Sequence, residues 1–200
     1  MTESTIDSQD IIGELGKAGG GLSKTRGVFL KYVGFPVLNT LITWQRALDI
    51  FEKEGEKVIK LANSLEDKQL FERILVPTLF GLEDNSRYYS VAMVLEHLII
   101  VGSALQERIP LLSQGKSLDM EVKIEKYKPY VEIESNIIET YTQFVQNFRK
   151  IVEAQVEDVY IDNHHKHPWF GNLKPKEWAV MGAIHQMVHR RQIEAIIEKL

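Results

Sequence analysis

Near its C-terminal end the chain reads HQMVH, which sets His185 and His189 four residues apart. Four residues are about one turn of an α-helix, so in helical conformation the two imidazoles stack on one face. The rest of that face is Trp178, Gly182, Ile193 and Ile196, the kind of stripe a bundle helix buries. A third imidazole, His97, sits in the most apolar segment of the chain, with Met93, Val94, Ile100 and Val101 within one turn. All three rings are expected to point inward. A neutral imidazole shut away from water must still satisfy one donor and one acceptor nitrogen. One divalent cation would satisfy three acceptor nitrogens at once, whereas three core histidines could each find a backbone or hydroxyl partner. Spacing by itself leaves both readings open.

Other polar groups offer less. The run DNHHKHPWF carries His164, His165 and His167, and a solvated loop is the ordinary home for such a run; His167 before Pro168 reads as a structural corner leading into the last helix. Asp162 or His165 could hang over a bundle mouth as an acid or base. Arg190 and Arg191 fall off the inner stripe and are expected to face solvent or an acidic partner. Gln192 lies one turn past His189 and could orient that ring through a hydrogen bond. Gly182, one turn before His185, is expected to leave room for an external ligand. The glycine-rich stretch GKAGGGLSKTRG has Ser23, not glycine, before Lys24, so it departs from the phosphate-binding pattern. It reads as a flexible lead-in.

These side chains need elements to hold them. From Pro36, the positions Val37, Leu41, Trp44, Leu48, Phe51, Val58 and Ala62 recur in steps of three and four, interrupted only at Gly55, which predicts a helix over 36–62. A second helix is expected over 86–108, stopping before Pro110 and apolar nearly all round. A third is expected over 131–156, with Ile137, Tyr141, Phe144, Phe148 and Ile151 on its inner stripe, and a fourth over 175–199, opened by Pro175. No alternating strand pattern is evident. Four long helices imply an all-α four-helix bundle with long connecting loops. Residues 63–85 and 157–174 exceed ordinary bundle loops, and such loops tend to cover sites. The expected organisation is an N-terminal extension over 1–35, partly flexible, followed by the bundle over 36–200.

Composition narrows the function classes. Of 200 residues 44% are hydrophobic and 26% charged, as in an ordinary globular domain. There is no cysteine, which removes thiol nucleophiles, cysteine-held zinc or iron–sulfur centres and disulfides. A formal net charge of −4 provides no general field for nucleic acid. The segment SVAMVLEHLIIVGSAL is too short for a membrane span, which takes about 20 residues, and carries Glu96 and His97 in its middle. No secretory signal is evident at the N-terminus. A soluble cytoplasmic protein is expected.

The pairing of VAMVLEHL with HPWFGNLKPKEWAVMGAIHQMVHRRQIEAI resembles the DinB-like superfamily, which includes bacillithiol transferases and mycothiol-dependent maleylpyruvate isomerases. The resemblance spans about residues 36–200, and its most specific part runs from His167 to Ile193. It implies a four-helix bundle holding a divalent metal (Zn, Ni, Fe or Co) on one histidine of the second helix and an HxxxH pair of the fourth. Those positions match His97, His185 and His189. It further implies a metal-dependent thiol S-transferase or isomerase using a low-molecular-weight thiol. A non-catalytic stress-related bundle with a structural metal, or a metal-dependent hydrolase, is the alternative. Expected partners are a small-molecule substrate or thiol, with a homodimer allowed and neither nucleic acid nor membrane. The first 35 residues do not align to the family pattern.

Overall fold

The computed structural model describes residues 15–17, 24–119, 121–130 and 132–200. The expected flexibility of the N-terminal segment falls largely on residues outside this set. Where its lead-in is described it is held: the Gly16 N–H donates to Asp84 Oδ2 at 2.8 Å and Asn85 Nδ2 donates to the Gly16 carbonyl at 2.9 Å.

In chain order come helix α1 (Lys24–Phe29), a wide turn over Leu30–Gly34, α2 (Phe35–Leu41), α3 (Trp44–Ala62), α4 (Asp67–Phe71), strand β1 (Ile74–Leu75), β2 (Tyr88–Tyr89), α5 (Val91–Ser113), α6 (Ile137–Glu153), β3 (His165–His167), β4 (Gly171–Leu173) and α7 (Pro175–Ile197). The two strand pairs are short antiparallel ladders inside the long connections, Ile74 opposite Tyr89 and His165 opposite Leu173. They were not anticipated, because two or three residues are too few to display alternation.

The helix expected over 36–62 is two helices. Thr43 adopts extended backbone and its Oγ1 accepts from the Arg46 N–H at 3.2 Å, an N-cap that starts α3 afresh. Val37 and Leu41 are consequently exposed, while Trp44, Leu48, Phe51, Val58 and Ala62 are buried as expected. α5 is shifted relative to the expected 86–108. Ser90 caps it by accepting from the Met93 N–H at 3.1 Å, and the helix passes through Pro110 to Ser113. α6 begins later than expected and its stripe ends on Val152, with Ile151 half-exposed.

Among the described residues α3, α5, α6 and α7 form the bundle. α3 packs on α7 and α6, and α5 packs on the same two, so α3 lies diagonal to α5 and α6 diagonal to α7. Chain-consecutive helices on a diagonal cannot be joined by a tight turn, which accounts for the long connections over 63–90 and 154–174. Gly182 lies where α7 meets α5. A Cβ there would stand 2.7 Å from Leu105 Cδ1, so the residue permits close helix packing and does not open space for a ligand, contrary to expectation.

The apolar core has two parts. One gathers Leu95, Leu98, Tyr141 and Ile193 with their neighbours; the other gathers Phe51, Leu105, Phe148 and Trp178. Phe144 packs against both. The seam between them is polar: His97, Gln186, His189 and Gln192 are all buried there.

Candidate metal centre

The HQMVH stripe and His97 meet at this seam because α5 and α7 are direct neighbours. The ligating nitrogens that His97, His185 and His189 can offer all lie within 4.8 Å of one another, the one such cluster of three or more among the described residues. Ring centroids are 5.0 Å apart for His97 and His185, 4.6 Å for His97 and His189, and 4.4 Å for His185 and His189. His97 and His189 are 8% and 4% exposed, while His185 is partly exposed.

The ring protons are fixed by partners. His97 Nδ1 lies 2.6 Å from the Tyr127 carbonyl, which can only accept, so Nδ1 carries the proton and Nε2 is bare. Gln192 Nε2 donates to the Ser86 carbonyl at 2.7 Å, turning Oε1 toward His189 Nδ1 at 2.7 Å. His189 Nδ1 is thereby the donor, and its Nε2 is bare as well. His97 Nε2 faces His185 Nε2 at 3.2 Å. Imidazoles bonded to one ion at about 2.1 Å put their nitrogens roughly 3 to 3.4 Å apart, so this pair already has the required separation. His185 Nε2–H bridges to His97; as a metal ligand through Nε2, His185 would carry its proton on Nδ1. Carbonyl and carboxamide acceptors behind ligating histidines are the usual means of fixing tautomer and aim.

The electrostatics agree with neutral rings. Burial, with a smaller push from Lys128, lowers His97 to about 4 against the raising effect of its bond to Tyr127. Burial and the neighbouring rings hold His185 well below the ordinary range; burial does the same for His189. Protons therefore do not compete for these nitrogens near neutrality. The residues fit a divalent cation: three neutral nitrogen donors, two with pinned tautomers, beside open space.

That space is a cavity of about 100 Å³ bordered by the three histidines, Arg108, Tyr127 and Trp178. The 63–85 and 157–174 connections contribute Gly81 and His167, as expected of covering loops, and so does the unanticipated segment 122–128. This last segment is tied down by the Tyr127 contact to His97, by Tyr130 N–H donating to Glu96 Oε2 at 2.7 Å, and by Lys128 Nζ, which pairs with Glu83 and donates to Ser86 Oγ at 2.9 Å. A second, apolar cavity of about 330 Å³ lies on the other side of His185 and His167, walled by Phe35, Phe170 and Ile184. Gly81 lines both. Its φ of +89° and the Val188 methyl 2.9 Å from where a Cβ would stand require glycine there.

The remaining candidates separate. His167 is the expected corner, its Nδ1 accepting from the Trp169 N–H at 3.1 Å. It also borders both cavities, a role the sequence did not signal. With Nδ1 occupied the proton stands on Nε2, and burial pushes the ring down to about 3, so the ring is neutral with an N–H to offer. His165 is buried and stacked on Trp178, and Asp162 is exposed and paired with Lys174 at 2.7 Å. Neither borders the histidine cavity. Arg190 is not solvent-facing: it joins Glu54 of α3 and Glu194. Arg191 is exposed, as expected. Arg108, Tyr127 and Trp178 were missed as site residues: Trp178 reads only as part of the buried stripe, Arg108 lies about three turns from His97, and no spacing relates Tyr127 to the histidines.

The Gln192 contact gives one testable outcome. Gln192→Ala is expected to weaken divalent-metal affinity by about 10- to 100-fold, read by competition with a chromophoric chelator. Unchanged affinity would remove Gln192 from the site.

No family model matches the chain, and no curated protein matches it significantly. A solved structure, TT2238, described as a four-helix bundle protein, aligns with a TM-score of 0.51 at 19% identity, covering 76% of this chain and 98% of that one. No helix among the described residues is long and apolar enough to cross a membrane. At that identity the likeness carries the fold alone, and what it supports is the architecture already described: the chain is an all-α four-helix bundle.

Proposed function

We propose that His97, His185 and His189 hold a divalent metal, and that the protein is a metal-dependent thiol S-transferase or isomerase of the DinB-like kind. The observation that carries this reading is the convergence of three imidazoles, two of them buried and with Nε2 left bare by hydrogen bonds from Nδ1. Three protein ligands leave at least one coordination position open, the catalytic arrangement and not the structural one. A divalent cation there would make a bound thiol or water a nucleophile near neutral pH. The chain's own groups supply the rest. Tyr127 and Gln192 hold the ring tautomers, His167 Nε2–H can donate to a substrate oxygen, and Trp178, Met181 and Leu105 supply apolar wall to the cavity.

The two cavities meeting at His185 suit a reaction with two substrates. A polar one would occupy the chamber with Arg108 and Tyr127, and an apolar electrophile the larger chamber beside Phe170 and Ile184. A cytoplasmic location belongs to the same proposal: a low-molecular-weight thiol is kept reduced there, and a chain without cysteine is compatible with it.

The test is a screen of the metal-loaded protein against electrophiles, with bacillithiol, mycothiol, glutathione and water as nucleophiles. Turnover with a thiol that is lost in His185→Ala is the expected result. Turnover with water alone would indicate a hydrolase. Equal rates for wild type and variant with every nucleophile would overturn the catalytic reading and leave a structural metal.

A further inference from the structure

The cavity beside the histidines holds two cationic side chains, and they are treated differently. Lys128 is neutralised by buried Glu83. Arg108 has no carboxylate within ion-pairing distance among the described residues. Its guanidinium lies over the Trp178 ring at 4.5 Å, and Nη2 donates to Tyr127 Oη at 3.1 Å. Its Nε is out of contact with water and has no acceptor.

This is an expensive arrangement for an empty pocket. A buried N–H without an acceptor forfeits the hydrogen bond water would give it, and the cost is larger on a charged group. One hydroxyl satisfies one of five donors. The stacking on Trp178 is favourable but occupies only the guanidinium face; of the edge, Nη2 meets Tyr127, and the remaining N–H groups are the part that recognises a planar oxyanion.

Position connects this edge to the histidines. Arg108 lies eleven residues beyond His97 on α5, about three helical turns, which returns it to the same face. Helical side chains lean toward the N-terminus, so the guanidinium reaches back along the cavity toward His97. Tyr127 joins the two ends: its carbonyl accepts from His97 Nδ1 and its hydroxyl accepts from Arg108. One residue of the covering segment thus fixes the aim of a candidate metal ligand and the place of the guanidinium.

Resting on the metal reading above, we infer that Arg108 is the anchor for a carboxylate of the ligand whose other end meets the histidine centre. The proposed ligand is a small carboxylate-bearing thiol, bound by thiolate at one end and at the other by the guanidinium of Arg108, which lines the cavity. A carboxylate fits better than a phosphate. It is planar and matches a single guanidinium fork, whereas a phosphate dianion calls for a second free cation, and the charge of Lys128 is already taken by Glu83.

The test uses the full chain loaded with cobalt(II), whose visible spectrum reports thiolate entering its coordination sphere. The probes are 3-mercaptopropionate and 6-mercaptohexanoate, each against the mercaptoalcohol of the same length. For at least one length the acid should bind roughly tenfold or more tightly than the alcohol, the worth of a charge-assisted hydrogen bond. In Arg108→Gln that advantage should fall to about twofold or less, with cobalt uptake unchanged. Arg108→Lys keeps the charge without the fork; it should lose most of the advantage and serves if the glutamine variant does not fold. Equal binding of acid and alcohol at both lengths, or an advantage that survives in Arg108→Gln and Arg108→Lys, overturns the anchor while leaving the metal reading standing. If the wild type takes up no cobalt, the metal reading fails instead, and hexanoate against hexanol on the metal-free protein decides the anchor. Arg108-dependent preference for hexanoate upholds it, and no preference overturns it.

Discussion

Protein purified without a histidine tag is expected to carry close to one equivalent of divalent metal, and the His97→Ala variant almost none. The magnitude follows from geometry. His97 is the one ligand candidate on α5, so its loss leaves two imidazoles from a single helix turn and no donor from the facing helix. Removing a group behind a ligand costs about 10- to 100-fold in affinity, and removing the ligand itself should cost more. The truncation also leaves the Tyr127 carbonyl without its donor at 2.6 Å, so the covering segment loses a tether. Elemental analysis after extensive dialysis is the measurement. Equal metal in wild type and variant would mean that these rings are ordinary core histidines which find their partners within the protein.

Chelation should produce a large loss of thermal stability. The rings lie beside apolar side chains of both core clusters, where an acceptor nitrogen is poorly served by water. Free metal at about a thousand times its dissociation constant stabilises the native state by roughly 4 kcal/mol. For a domain of this length each kcal/mol moves the midpoint by about 2 to 4 °C, so the loaded and stripped proteins should differ by about 8 to 16 °C. The variant His97→Ala, measured with and without chelator, should show almost no difference. A loaded wild-type protein that melts at the same temperature before and after stripping would place its metal elsewhere, on a surface that folding does not build.

The paired cavities shape what a productive ligand must look like. The larger is walled by aromatic and aliphatic side chains from the segment around Phe35, from Phe170 and from α7, and it borders the histidines through His167 and His185. The smaller carries the guanidinium and the tyrosine hydroxyl. A molecule that is apolar throughout, or charged throughout, would satisfy only one of them. His167, His185 and Trp169 border both.

The sequence determined the phase of each helix. A period of 3.6 residues put His185, His189, Trp178, Ile193 and Ile196 on one stripe of α7 and His97 on the apolar helix, and the structure gathers them in the interior. Gln192 followed from the same spacing, because its carboxamide lies within one turn of the ring it contacts. Helix ends were less legible. The Thr43 and Ser90 caps are single hydroxyl bonds that override a continuing apolar pattern, and Pro110 is accommodated near the end of α5. What only the tertiary structure decided is which faces meet. Arg190 lies off the stripe of its own helix, yet Glu54 of α3 stands across from it. Gly182 is small because Leu105 of α5 fills the place of its side chain. Arg108, Tyr127, His167 and Trp178 come from four separate segments and converge because α5 and α7 are neighbours and the connections that carry Tyr127 and His167 fold back over them. Periodicity fixes where a side chain points relative to its own axis; the partner opposite it is set by how the helices pack, and no spacing within one element records that.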